Sequence, residues 1–370
     1  MSGPLGYLFE ELEKLAQLGL LRQRTERCVE AGVVDACSND YLGYGSRRAT
    51  VLGESGATGS RLVVGDGPAV RELERDAADW VGMGACLVFS SGYAANVGVI
   101  SAVAGVDDLV VSDERNHASI IDGCRLSRAT VRVVPHLDRG AVAAALDRGG
   151  EFRRRWVVTE SYFSMDGTVP DLRELRTMCD SRGAALIVDE AHALGVFGAG
   201  GAGRCKEAGV VPDVLVGTFG KAVGAQGAFV AGSEPLILWL WNRARSFVFS
   251  TGLSPILGEV VRRNLRAVRE DEGGRQGLWL HVGRFREALE TAGIQALRGS
   301  VGPIIPVVVG DSSLALEYER RLNVRGFLVK AIRPPTVADG SARLRVTLRA
   351  TMSPQDVASL AGCLAECRPW

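Results

Sequence analysis

The sequence predicts an α/β fold: a mostly parallel central sheet with helices on both faces, plus a small C-terminal α+β domain. Three observations carry this. Short apolar, β-branched runs recur between residues 56 and 232, helical segments separate several of them, and the texture changes after residue 270. The runs are Ala85–Phe89, Leu109–Val111, Val131–Val134, Trp156–Thr159, Ala184–Val188, Val214–Val216 and Ala228–Ala231. They are apolar on consecutive residues, which suits strands buried on both faces beneath covering helices. Pro68–Val81 places Val70, Leu73, Ala77 and Trp80 with Val81 on one helical face, and Pro68 sits in the first turn, where its missing N–H does no harm. Leu172–Arg182 ends at Gly183, a typical residue just past a helix end. Alternation of this kind implies a largely parallel sheet.

Beyond residue 270 the charged, Gly-rich stretch Glu270–Gly277 reads as a linker. Leu278, Val282, Phe285 and Leu289 then repeat at helical spacing, and Ile304–Val309 and Leu344–Leu348 read as strands. Ser353-Pro-Gln-Asp356 is a capping box with Pro at the first helical position, opening a last helix to about Leu364. The expected organisation is an N-terminal arm with one amphipathic helix (1–36), a large domain (37–270) and the small domain (271–370).

Composition narrows the function. The chain has 370 residues, 46% hydrophobic and 23% charged, the balance of a globular protein. Lys+Arg and Asp+Glu are both 43, so nothing suggests a nucleic-acid or anionic-membrane footprint. No uncharged apolar run is long enough to span a bilayer. Met1–Leu21 carries Glu10, Glu11, Glu13 and Lys14 among its leucines, so a secretory signal is not expected. The eight cysteines are scattered without a C-x-x-C pair, which argues against zinc ribbons and disulfide frameworks. Cys86, in an apolar run, reads as a buried inert thiol, and the expected compartment is the reducing cytoplasm. Glycine, at 46 residues, is abundant, as where tight turns bring backbone close to a ligand.

Two motif matches are discounted. Gly198-Ala-Gly200-Gly201-Ala-Gly203 fits a dinucleotide expression, but that mechanism needs a strand directly before it and a full helix after, and Arg204–Gly209 is too short. Asp189-Glu-Ala-His192 spells a helicase box, but its phosphate-cradling partner is missing: Leu215 stands where Gly220-Lys221 would need the first glycine.

A different constellation remains. Asp189 and His192 follow the run Ala184–Val188, at the carboxyl end where open α/β sheets bind ligands; alone, the pair is equally a structural or metal-site coincidence. Lys221, in Thr218-Phe-Gly-Lys221, lies among glycines and could be an ordinary solvated lysine. Ser90-Ser-Gly92-Tyr93 ends a strand and opens a helix, which makes either a phosphate site or a capped turn. His117, in Asn116-His-Ala-Ser119, could be a core or capping histidine. Together they meet the needs of pyridoxal phosphate: a lysine for the Schiff base, an acid for the pyridine nitrogen, donors for the phosphate and a flat ring to cover one face.

In these residues the chain resembles the α-oxoamine synthases, fold-type I pyridoxal-phosphate (PLP) enzymes that condense an amino acid with an acyl thioester and lose CO2. The likeness runs from Ser38-Asn-Asp-Tyr-Leu-Gly43 through Gly56–Leu62, Ser91–Asn96, Asn116–Ser119, Glu160 with Phe163–Gly167, Val188–His192 and Gly217–Lys221 to the last helix. The resemblance implies that Lys221 carries the cofactor as a Schiff base. It places Asp189 at the pyridine nitrogen, His192 at the 3-hydroxyl and His117 stacked on the ring. Gly92, Tyr93 and Thr218 would hold the phosphate, with Ser164 close to the ring. Arg22, Asn39, Thr336 and Arg345 would face substrate, Arg345 being suited to a carboxylate through its guanidinium fork. Lys221, His117 and Asp189 would be the catalytic residues. Ala331-Ile-Arg-Pro-Pro-Thr-Val337 and Ala342–Thr347 are most similar to the branch that joins L-alanine to a pimeloyl thioester, on coenzyme A or a carrier protein. The alternative is a relative that uses another amino acid or acyl chain. The resemblance also implies a homodimer with shared sites. The segment between Arg22 and Asn39 is shorter than usual, and Val64 and Val70 stand where the family has Ser and His, departures that bear on acyl recognition rather than on the cofactor.

Overall fold

The structure, a computed structural model, describes residue 5 and residues 7–21, 32–51, 53–64, 66–148 and 152–369. Arg22, Cys28 and the Val64 side chain lie outside this set. The chain divides into two compact units: residues 39–164 with 168–278, and the described parts of residues 1–38 with 165–167 and 279–370.

Helix α1 (Tyr7–Gln17) belongs to the smaller unit and buries none of its residues. In the larger unit, α2 (Pro68–Val81) buries Val70, Leu73, Ala77, Ala78, Trp80 and Val81, the face expected from its periodicity, so Val70 is a core residue. Strand β1 (Ala85–Phe89) follows, then α3 (Gly92–Val103), β2 (Asp108–Asp113), α4 (Ala118–Ser127) and β3 (Thr130–Val134). Strand β4 (Arg154–Glu160), helix α5 (Leu172–Ser181) and strands β5 (Ala184–Asp189), β6 (Val214–Thr218) and β7 (Ala228–Gly232) complete the sheet. All seven apolar runs are strands, in the order β1-β7-β6-β5-β4-β2-β3.

Neighbouring strands are parallel except at β7, which runs antiparallel to both β1 and β6. The cause is the nine-residue link 219–227, too short for the crossover that a parallel neighbour requires. The link instead folds back as a loop carrying Lys221, with the Gly224 N–H donating to Lys221 O at 2.8 Å. Leu87, Val110, Val158, Ile187 and Val216 are at most 1% exposed beneath α3 and α4, as expected for strands covered by helices. Edge strand β3 is the exception, with Thr130 and Val133 exposed. Arg61, from the Gly56–Leu62 segment, is buried and paired: its Nε donates to Asp66 at 2.8 Å and an Nη to Glu74 at 3.0 Å, while Glu74 also accepts the Val88 N–H.

The stretch Glu270–Gly277, read as a linker, is helical. Helix α6 (Pro255–Glu270) ends at Asp271, and α7 (Glu272–Thr291) starts at once. Asp271 accepts the Gly274 N–H at 2.9 Å, and the buried Arg275 donates to Val268 O and Glu272. These bonds outweigh the weak helix propensity of Gly273, Gly274 and Gly277.

In the smaller unit, β8 (Ile304–Gly310), β9 (Lys330–Ile332) and β10 (Ala342–Thr347) form an antiparallel sheet in the order β9-β10-β8. Residues 32–36, expected in a separate arm, and 37–38, expected in the large domain, belong here: Val34–Asp35 pairs with Phe327–Leu328, and Arg349 Nε donates to Asp35 O at 3.0 Å. The last helix, α8 (Pro354–Glu366), has the expected Ser353–Asp356 capping box. Among the described residues no helix is long and apolar enough to cross a membrane. The seven described cysteines are free, and burial pushes the Cys86 thiol well above its usual range.

Gly224 has φ +65°, and a Cβ there would overlap the Gly45 backbone nitrogen. Gly224→Ala combines left-handed strain with overpacking and should cost about 2–4 kcal/mol, read from the urea midpoint.

Candidate functional site

The parallel register brings the carboxyl ends of β1, β2, β4, β5 and β6 to one edge of the sheet. Glu160 lies opposite Asp189, and Asp189 opposite Val216. Phe89 and Thr218 both pair with Ala228, so the segment after β1 meets the end of β6; a Cβ on Gly92 would sit 3.8 Å from Thr218 Oγ1.

Asp189 is 6% exposed, so its charge needs donors. Asn96 Nδ2 donates to Oδ2 at 2.7 Å and the Ala191 N–H to Oδ1 at 2.8 Å. Asn96 Nδ2 also donates to Ser119 Oγ at 3.0 Å, and Ser119 Oγ lies 2.7 Å from His117 Nδ1. The Ser119 backbone N–H donates to the same nitrogen at 3.2 Å. A backbone N–H can only donate, so Nδ1 is an acceptor and the ring proton sits on Nε2. Burial moves the His117 pKa below its ordinary 6.5, against the pull of Asp189 and with the help of Lys221. His117 is therefore a neutral imidazole. Its charge interactions with both Asp189 and Lys221, and those of Glu160 with the same two groups, place all four in one neighbourhood.

His192 is buried, with Nδ1 2.7 Å from the hydroxyl of Tyr41, which is itself fully buried. Asn39 Oδ1 lies 3.5 Å from that hydroxyl. Helix α3 is capped by Ser91, whose side chain accepts the Ala94 N–H and whose carbonyl accepts the Ala95 N–H. No acceptor among the described residues takes the Gly92 or Tyr93 N–H. The Tyr93 ring turns outward, its hydroxyl donating to Asp122. Thr218 Oγ1 donates to Gly227 O at 3.1 Å and accepts the Gly220 N–H at 3.2 Å. Lys221 is half-buried and Ser164 is buried.

The larger unit thus brings Lys221, Asp189, His117, His192, Thr218, Gly92, Tyr93, Ser164 and Asn39 to one sheet edge or its loops. Thr336 and Arg345 belong to the smaller unit, where Thr336 is exposed and the buried Arg345 donates to Thr347 Oγ1 at 2.7 Å. Sequence reasoning assigned no role to Asn96, Ser119, Tyr41 or Glu160, although each stands in a quoted motif. The discounted glycine motif has its own explanation. Glu190, fully buried, accepts the Arg204 N–H at 2.9 Å and the Cys205 N–H at 2.6 Å, and Gly203, at φ +93°, leaves room for that carboxyl group.

A carboxylate, a neutral imidazole, an amine and two unclaimed N–H groups at the start of a 12-residue helix form the donor set that PLP requires. Asn96 Oδ1 and Glu160 Oε1 are buried without a partner, as polar atoms beside a ligand would be. Residues 31–364 match the class I and II aminotransferase family. The chain belongs to that family, in its α-oxoamine synthase branch. An 8-amino-7-oxononanoate synthase from Methylococcus capsulatus is 46% identical over 91% of this chain and 89% of its own length. The Sphingomonas wittichii serine palmitoyltransferase superposes with a TM-score of 0.90 at 28% identity, covering 99% of this chain and 98% of that one. A serine palmitoyltransferase variant from S. paucimobilis with a bound PLP–myriocin aldimine gives a TM-score of 0.89 at 26% identity, covering 98% and 97%. This α-oxoamine synthase is a PLP-dependent acyltransferase with a fold-type I architecture.

The His117 pKa gives a pH-dependent prediction. Below pH 6.5 the unfolded chain takes up a proton that the folded His117 resists, so the unfolded state binds more protons and stability falls as pH drops towards the folded pKa. His117→Gln should flatten this slope when urea midpoints are compared at about pH 7.5 and 5.5.

Proposed function

We propose that this enzyme condenses L-alanine with a pimeloyl thioester, releasing CO2 and the free thiol, to form 8-amino-7-oxononanoate in biotin biosynthesis. The observation that carries this is the 46% identity, over most of both chains, to a relative bearing that name. The acyl carrier is coenzyme A or a carrier protein.

PLP supplies the electron sink that makes bonds at the alanine α-carbon breakable. The chain's own groups do the rest. Lys221 would anchor the cofactor through its amine, and that amine, when free, would be the base that accepts the α-proton. Asp189 would keep a proton on the ring nitrogen, its carboxyl group held in place by the Asn96 and Ala191 donors. His192, fixed by Tyr41, would serve the 3-hydroxyl. His117 would cover one face of the ring, and its Nε2–H is suited to polarising the acyl carbonyl. The Gly92 and Tyr93 N–H groups would hold the phosphate, joined by the Thr218 hydroxyl, which here donates to Gly227 O, with Ser164 close to the ring. The resemblance assigns Asn39 in the larger unit, and Thr336 and Arg345 in the smaller one, to substrate, with Arg345 suited to the alanine carboxylate through its guanidinium fork; Arg22, assigned to the acyl chain, lies outside the described residues.

We also assign the chain to a homodimer with shared sites. Leu8, Leu12 and Leu15 on α1 of the smaller unit are exposed apolar side chains, as are Leu238 and Phe249 of the larger unit, and a second copy would cover such surface. Light scattering should return twice 39.3 kDa. Free cysteines fit a reducing cytoplasm.

The likeness to serine palmitoyltransferases supports a second reading, with L-serine and a long acyl chain. Thiol release separates the two: turnover with L-alanine and pimeloyl-CoA should exceed that with L-serine and palmitoyl-CoA by about tenfold or more. The reverse ranking would replace the first reading with the second. Lys221→Ala should lower turnover by about a thousandfold or more and abolish borohydride trapping of PLP on the chain.

A further inference from the structure

Glu160 has no part in the chemistry assigned above, yet it occupies the centre of the site. It ends β4, is 3% exposed and lies opposite Asp189 in the sheet register. The backbone N–H groups of His117 and Ser164 act on its carboxyl group as donors, and one oxygen, Oε1, is buried without a partner. The two neighbouring acids are therefore served unequally. Asp189 has a donor on each oxygen, whereas Glu160 in its charged form would keep a bare anionic oxygen out of water.

The titratable groups facing Glu160 come from three other elements: Asp189 on β5, Lys221 on the loop after β6, and the neutral His117 before α4. Burial and Asp189 favour the protonated acid, while Lys221 and the two backbone donors oppose it; burial dominates, and the net direction is well above the ordinary carboxylate range. A carboxylic acid kept neutral by its surroundings can serve as a hydrogen donor at neutral pH.

We propose that Glu160 is a positioning residue that works as an uncharged acid, tying the His117 and Ser164 backbones together with one oxygen and presenting the O–H of the other to the PLP-filled pocket. It rests on the cofactor reading above. The amide of Gln reproduces this arrangement without a charge, since its oxygen can accept both N–H groups and its NH2 can donate. Leu reproduces neither half.

The test titrates PLP into apo-protein by absorbance and then follows the visible band of the loaded protein against pH, for wild type, Glu160→Gln and Glu160→Leu. Glu160→Gln should bind PLP within about threefold of wild type and keep its spectral pH midpoint, whereas Glu160→Leu should lose about tenfold or more in affinity. Removing a real negative charge beside Lys221 would lower the pKa of the cofactor-bound amine. A midpoint about half a pH unit or more lower in Glu160→Gln would therefore overturn the proposal. Equal weakening in both variants, or unchanged affinity in Glu160→Leu, would also overturn it. If Glu160→Leu does not fold, the Glu160→Gln midpoint still decides. A wild-type protein that takes up no PLP would instead refute the cofactor reading, and this proposal with it.

Discussion

One buried carboxylate organises the centre of this enzyme. Asp189 sits at the end of a central strand at 6% exposure, where an ion must be paired or well hydrogen-bonded to remain charged. The protein answers with neutral dipoles, Asn96 and the Ala191 N–H. The choice matters. A cation in their place would tie up the carboxylate, whereas dipoles leave its charge directed at whatever lies in front of it. Asn96 is also committed to Ser119, and Ser119 to His117, so the aspartate, the donor that supports it and the tautomer of a ring at the far end form one connected chain. A change at any link would be felt along the whole of it.

The sheet topology delivers the amine to the same edge. A lysine on a long crossover would depend on a loop with its own freedom. Here the return from β6 to β7 is short, and its turn is held by the Gly224 N–H bonded to Lys221 O and by the close approach of Gly45. The antiparallel β7 that interrupts an otherwise parallel sheet is thus part of how Lys221 is placed. It also sets Thr218 beside Gly92, because the ends of β6 and β1 flank the same residue, Ala228.

Much of this is legible in the sequence, and the exceptions have physical causes. All seven strands show as consecutive apolar residues because six of them are buried on both faces, and even edge strand β3 keeps enough valine to register. The capping box and the buried face of α2 follow from local chemistry alone. The supposed linker was misread because glycine count is a local signal, whereas the helix there is secured by Asp271 and by a buried Arg275 reaching back to Val268. Residues 32–36 read as an arm because pairing with Phe327–Leu328 joins positions nearly three hundred residues apart. Within the candidate site, Lys221, Asp189 and His192 stand out by type and position. Asn96, Ser119 and Glu160 do not, because their roles are defined by what they touch across strands.

The charge states complete the argument. Of the four groups gathered at the sheet edge, burial holds His117 neutral and pushes Glu160 the same way, while Asp189 keeps its two donors. Asp189 and Lys221 are then the two groups left to act on a ligand, one on the strand and one on the loop. For chemistry that needs an electron pair drawn towards a protonated ring nitrogen, this is the useful arrangement. On the proposed reading, a second anion next to Asp189 would favour protonated Lys221 and so suppress the free amine that would accept a proton, and a cationic His117 over the ring would compete with the ring nitrogen for the same electrons. Keeping two of the four groups uncharged lets the other two act on the ligand with little interference, and the low dielectric that does so also strengthens their effect.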